Sequence, residues 1–121
     1  MSTQSQETFI QAIKDNETRL TDIGFSHIST TKKGYATYID FKSTEKDKVS
    51  FIFGPSDWNV EIVFTTTDKK YEFKDLVQIP SVALWTRDNK FTPKSNDKIK
   101  DQVDWFVDLL TFVIKVRPWT N

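Results

Sequence analysis

Residues 97 to 117 carry more apolar surface than a single-sided surface helix can bury, and this constrains the fold more than any other feature of the chain. At about 100° per residue, Asp97, Asp101, Asp104, Asp108, Thr111 and Lys115 gather into one narrow polar stripe. Ile99, Val103, Phe106, Leu110 and Val113 lie opposite, Trp105, Leu109, Phe112 and Val116 widen one flank, and Val107 and Ile114 widen the other. The apolar arc covers roughly 220°, against the ~100° stripe of an ordinary amphipathic helix. One side is expected to pack on a sheet and one flank on the N-terminal helix. The other flank is expected to meet the segment 74 to 92, with Trp85 as the contact. A flank left bare would require a partner, because large exposed apolar patches are uncommon on monomers. The run is not a membrane span: Asp104, Asp108, Thr111 and Lys115 interrupt it, and a span needs about 20 mostly apolar residues.

The elements that must surround this helix are legible from periodicity. Phe9, Ile13, Leu20 and Ile23 recur at helical spacing and predict a helix over 5 to 23, with Asn16 the one polar residue in the stripe. Gly24 follows as a C-terminal stop. The period then changes to two. FSHIST (25 to 30) reads as a short strand and TKKG as a turn at Gly34. From 35 to 43, Tyr35, Thr37, Ile39 and Phe41 point one way, and Ala36, Tyr38, Asp40 and Lys42 the other. STEKDK reads as a charged loop; Val49, Phe51 and Phe53 share a strand face; and Gly54 to Asp57 form a turn. Trp58, Val60, Ile62 and Phe64 line the inner face of the next strand, Asn59, Glu61 and Thr65 face outward, Val63 is the exception, and KYEF adds a short edge strand. Short loops between strands dictate antiparallel hairpins, because parallel pairs need long crossovers. Segment 74 to 92 is open between a short helix starting at Pro80 and ending near Asp88, and a strand at VALWT; the helix or an irregular segment is preferred. Ser95 or Asn96 caps the last helix, with Asp97 in its first turn, and Pro118 ends it.

The chain is thus expected to be one α+β domain over residues 1 to 121, its first few residues disordered. A four- to five-stranded antiparallel meander carries the N-terminal and C-terminal helices on one face. At 121 residues it buries roughly two thirds of its unfolded surface and needs no staples. The 17 basic and 17 acidic residues cancel to a formal net charge of +0, so no electrostatic footprint favours nucleic acid. No Cys is present, which removes thiol chemistry, Cys-ligated zinc and disulfides and suits a bacterial-type cytosol. MSTQSQETF is polar, with no early basic cluster and no apolar run behind it; no signal peptide is expected, and the location expected is cytoplasmic.

Candidate chemistries are few. His27 is the sole histidine; flanked by Ser26 and Ser29, it reads as a strand or surface histidine rather than a general base, since no orienting carboxylate or oxyanion site accompanies it. Asp101, Asp104 and Asp108 share a helix face and are placed as a hard-cation set would be. With no histidine among them, and Asp97 and Lys115 continuing the stripe, they read as a solvated acidic face. Gly24, Gly34 and Gly54 are isolated turn glycines and form no phosphate cradle. Lys32-Lys33 and Lys69-Lys70, near Tyr35 and Tyr71, read as solvated turns rather than a single-strand platform. No catalytic set, cofactor or metal is implied.

Two surfaces remain. The outer sheet face carries Tyr38, Asp40, Ile52, Asn59, Glu61 and Val63, a mixture that suits a protein partner and equally a half-solvated sheet. The segment Trp85 to Lys90 combines Trp and Arg, both enriched in interface hot spots. The candidate partner-binding residues are Tyr38, Asp40, Glu61, Trp85 and Arg87.

RLTDIGF closing the first helix, VSFIFGPSDWNVEIVF as a central hairpin, and DWFVDLLTFV in the last helix together resemble the small immunity proteins of bacterial toxin systems. The likeness spans most of the chain and transfers no site residues. It implies an acidic or mixed surface that occludes a toxin; the net charge of +0 departs from the acidity expected toward a nuclease toxin. The function expected is a non-enzymatic protein-binding module, an immunity-type inhibitor in its concrete form, acting on a protein partner as a monomer or homodimer. It would use no nucleic acid and no membrane. The alternative is a small apolar-ligand carrier with a pocket between sheet and helices.

Overall fold

The computed structural model describes residues 2–34, 36–44, 46–54, 60–89 and 99–117. Expectations for Tyr35, the 55 to 57 turn, Trp58, Asn59, Lys90, the cap at Ser95 or Asn96, Asp97 and Pro118 lie outside these residues. In chain order the elements are α1 (Ser2–Asp15), α2 (Glu17–Asp22), β1 (Phe25–Lys33), β2 (Ala36–Ser43) and β3 (Lys48–Phe53). They are followed by β4 (Val60–Thr65), β5 (Lys70–Glu72), α3 (Phe73–Leu76), α4 (Pro80–Asp88) and α5 (Ile99–Val116). The fold is α+β, with one open five-stranded sheet in the order β1-β2-β3-β4-β5 and every neighbour antiparallel.

The period-two alternation builds the layer boundary. Ile39, Phe41, Val49, Phe51, Phe53, Val60, Ile62, Phe64 and Tyr71 are buried on one face, while their outward neighbours are half-buried or exposed. Onto the buried face pack Phe9, Ala12, Ile13 and Leu20 from α1 and α2, and Val103, Phe106, Val107, Leu109, Leu110 and Val113 from α5. Each fully buried Phe or Leu contributes about 1.5–3 kcal/mol. The aromatics fill this layer by contacting one another: Phe9 stacks on Phe53 with centroids 5.4 Å apart, Phe41 meets Phe51 edge-on at 5.9 Å, and Phe25 meets Phe64 at 6.4 Å.

Four local expectations change. Phe73, expected in the KYEF edge strand, instead opens α3. The helix expected over 5 to 23 breaks at Asn16, whose backbone is non-helical (φ −103°, ψ 5°). Its amide Nδ2 donates to the Ala12 carbonyl at 2.9 Å, and its backbone N–H turns to the Ile13 carbonyl at 3.0 Å; a short polar side chain competes here with the helical ladder. Strand β1 runs on to Lys33, past the expected turn start, and a bulge lies between His27 and Ser29. Gly34, at φ +63°, then supplies the left-handed conformation the hairpin needs. Lastly, the charged loop before β3 is partly internal. Asp47 is buried, its N–H donates to Ser43 Oγ, and its Oδ2 accepts from Arg117 Nη1 at 3.0 Å, tying that loop to the end of α5.

Segment 74 to 92 resolves in favour of the helix: Pro80 occupies the first turn of α4, where its missing N–H costs nothing. Gly24, at φ +97°, closes α2 as expected. Among the described residues no helix is long and apolar enough to cross a membrane.

Candidate interaction surface

The wide arc of α5 is covered on each side in a different way. On one flank, Trp85 of α4 stacks on Phe112 (5.7 Å, 25°) and tilts against Trp105 (5.5 Å). Phe73 meets Trp105 and Phe106 edge-on, and Trp105 Nε1 donates to the Asn89 carbonyl at 2.7 Å. Trp85 is half-buried in this cluster, the contact expected from the sequence. Arg87, two residues further along α4, is exposed and lies beside Asp88.

On the other border, α1 and α2 meet part of the polar stripe of α5. Asn16 Nδ2 donates to Asp104 Oδ1 at 2.8 Å, Lys100 Nζ donates to Asp104 Oδ2 at 2.9 Å, and Arg19 pairs with Asp108. The acidic face expected to be solvated is therefore solvated only in part: Asp101 is exposed, while Asp104 and Asp108 are engaged from the N-terminal helical region. Burial alone would push the Asp104 carboxyl up, but hydrogen bonds from Asn16 and Lys100 and the charges of Lys100 and Arg19 outweigh it and hold it below the usual carboxylate value. The bond to Asp104, with that carboxylate's charge, raises Lys100 above the usual lysine value. Among the described residues no group of three or more His, Asp or Glu is placed to hold a metal ion.

His27 is exposed; its Nε2 lies 2.9 Å from Thr30 Oγ1 and its ring packs edge-on against Phe41 at 5.5 Å. It stands on the edge strand, with no carboxylate bonded to it among the described residues.

The outer face of the sheet is covered by none of the described helices. Register aligns its side chains in rows. One row reads Thr31, Tyr38, Ile52, Glu61. The next reads Ser29, Asp40, Ser50, Val63, Glu72. In this second row Asp40, on β2, accepts from Ser50 Oγ at 2.6 Å and from Ser29 Oγ at 3.3 Å, which ties the carboxylate to its two neighbouring strands. Tyr38, Ile52 and Val63 are half-buried and Glu61 is exposed. Of the five residues singled out in the sequence, the structure brings together Tyr38, Asp40 and Glu61. Trp85 and Arg87 belong to the helix layer on the opposite side of the sheet.

A third row escapes sequence reasoning: Ser26, Lys42, Lys48, Thr65 and Lys70. Outward parity within each strand is the one signal for it, but alignment across strands needs the register. Comparison with protein-family models, with characterised proteins and with solved structures returned no match.

Proposed function

We propose that this chain is a non-enzymatic protein-binding module that docks a protein partner on the outer face of its sheet. In its concrete form it is an immunity-type inhibitor that occludes a cognate bacterial toxin in the cytoplasm. The observation that carries the reading is the outer face that none of the described helices covers. Tyr38, Ile52 and Val63 form an apolar centre, and Asp40 and Glu61 stand beside it on a sheet stiffened from behind by a filled core. An apolar centre with a polar rim is the common anatomy of a protein interface, and a rigid sheet lowers the ordering cost of binding. The aromatic residues that motivated a small-ligand pocket are engaged with one another instead. Trp85 likewise is engaged within the helix layer.

The test is affinity capture of the tagged protein from native lysate, followed by binding measurements on the retained species. One stoichiometric partner is expected, with Tyr38→Ala and Glu61→Lys each weakening it by about tenfold or more and Arg87→Ala leaving it unchanged. Unaltered affinity in both outer-face variants would sink the proposal. A partner that is an encoded neighbour, toxic when expressed alone and harmless when co-expressed, makes the module an inhibitor.

A further inference from the structure

The lysine row on the outer face finds no ion pair among the described residues. Lys42 stands directly opposite Lys48, and Lys70 follows beyond Thr65 in the same cross-strand row. All three are exposed. Like charges directly opposite on a sheet face destabilise the pair. The ion pairs among the described residues use Arg19, Lys74, Arg87, Lys100 and Arg117, and none of these three lysines. With strands about 4.8 Å apart, the row crosses the whole sheet over roughly 19 Å.

At its β1 end the row opens into a shallow depression of about 700 Å³ lined by Ser26, His27, Ile28, Lys42, Thr44 and Lys46 among others. The bulge between His27 and Ser29 leaves Ile28 50% exposed there. Two ammonium groups, hydroxyls and an aliphatic edge in one concavity favour an anionic group carried on an organic scaffold over a bare ion.

Two macromolecules carry such charge. A nucleic-acid backbone laid along the row would also meet Asp40, Glu61 and Glu72, which stand one and two rows away on the same face, and the net charge of +0 supplies no long-range attraction to phosphate. A protein surface can place carboxylates against the lysines and apolar or basic groups against Tyr38, Ile52 and the acidic row. We infer that the lysine row is the electrostatic half of the docking face, and that the partner presents an acidic segment, rich in Asp or Glu, along it. This rests on the outer face being the docking surface.

The experiment titrates the full-length protein with a fluorescein-labelled oligoglutamate, and in parallel with an oligothymidylate of equal charge, reading anisotropy and backbone amide shifts. Oligoglutamate is expected to bind, to shift Ser26, Lys42, Lys48, Thr65 and Lys70, and to weaken as salt rises. Replacing all three lysines by Gln should cost about tenfold in affinity, and Arg87→Gln nothing. If the triple variant folds poorly, Lys48→Glu alone should weaken binding in the same direction.

No binding of oligoglutamate, or equal binding by the lysine variants, overturns the inference, and tighter binding of oligothymidylate replaces it with a nucleic-acid site. Loss of the captured partner in Tyr38→Ala together with silence toward oligoglutamate overturns the inference and leaves the docking reading standing. Oligoglutamate binding at the lysines with no partner loss in Tyr38→Ala or Glu61→Lys upholds the acidic-ligand site and sinks only that docking reading.

Discussion

The two borders of α5 close by different physics. Against α4 and α3 the helix uses area: Trp85, Trp105, Phe112, Phe73 and Phe106 meet ring to ring. Against α1 and α2 it adds direction: Asn16 donates to Asp104, which Lys100 of the same helix also holds, and Arg19 pairs with Asp108 above the shared core. Aromatic area is indifferent to pH and tolerant of small displacements, whereas hydrogen bonds to a half-buried carboxylate fix the register of one helix on another and respond to protonation.

This contrast can be broken from the aromatic side first. Trp105→Ala is expected to cost about 2–4 kcal/mol, under the ~3–5 of a fully buried aromatic because Trp105 is half-buried, read as the shift in equilibrium urea unfolding. Trp85→Ala should cost less, since Trp105 keeps its contacts with Phe73 and Phe106, and the two should couple by about 0.5–1.5 kcal/mol in a double-mutant cycle. An additive cycle would mean that the rings do not act as a cluster.

The polar border should yield a smaller loss. Asn16→Ala removes a donor from Asp104 and from the Ala12 carbonyl, and about 1–3 kcal/mol is expected for leaving such groups short of a partner. The polar border alone should then respond to pH. Because the folded Asp104 carboxyl lies below its ordinary value, its contribution is full above the unfolded value near ~3.9 and is lost as pH falls through the lower folded value. Lys100, raised in the fold, contributes fully below its unfolded value near ~10.4 and loses that contribution as pH rises through the higher folded one. Stability of Asp104→Asn followed by chemical denaturation should therefore be flatter than wild type at both ends; an unchanged acid slope would show that other carboxylates dominate. The smallest effect belongs to Arg19 and Asp108, whose side chains are 43% and 52% exposed. Their coupling is expected at about 0–1 kcal/mol and should fade with salt.

Much of the fold is legible in the order of residues alone. Alternation in β2, β3 and β4 separates inner from outer residues, and so puts Tyr38, Asp40 and Glu61 on the outer face. Pro80 and Gly24 mark a helix start and a helix end through backbone restrictions that belong to single residues. The candidate site is less legible. Trp85 and Arg87 look like hot-spot residues by type, and type says nothing about which way a helix turns its Trp. Lys42, Lys48 and Lys70 sit in three separate strands, and each alone is an ordinary outward lysine.

By itself, then, the sequence determined the central strands, the two terminal helical regions, their buried faces and the surplus apolar arc of α5, because periodicity and backbone restriction act within a few residues. Tertiary structure decided what met across distance. Asn16 broke its own helix and found Asp104, 88 residues away. Asp47 left a charged loop to pair with Arg117. The lysines lined up only once turn lengths had set the register. Such pairings depend on how whole elements pack against one another, and no local pattern encodes the partner a side chain will find when they do.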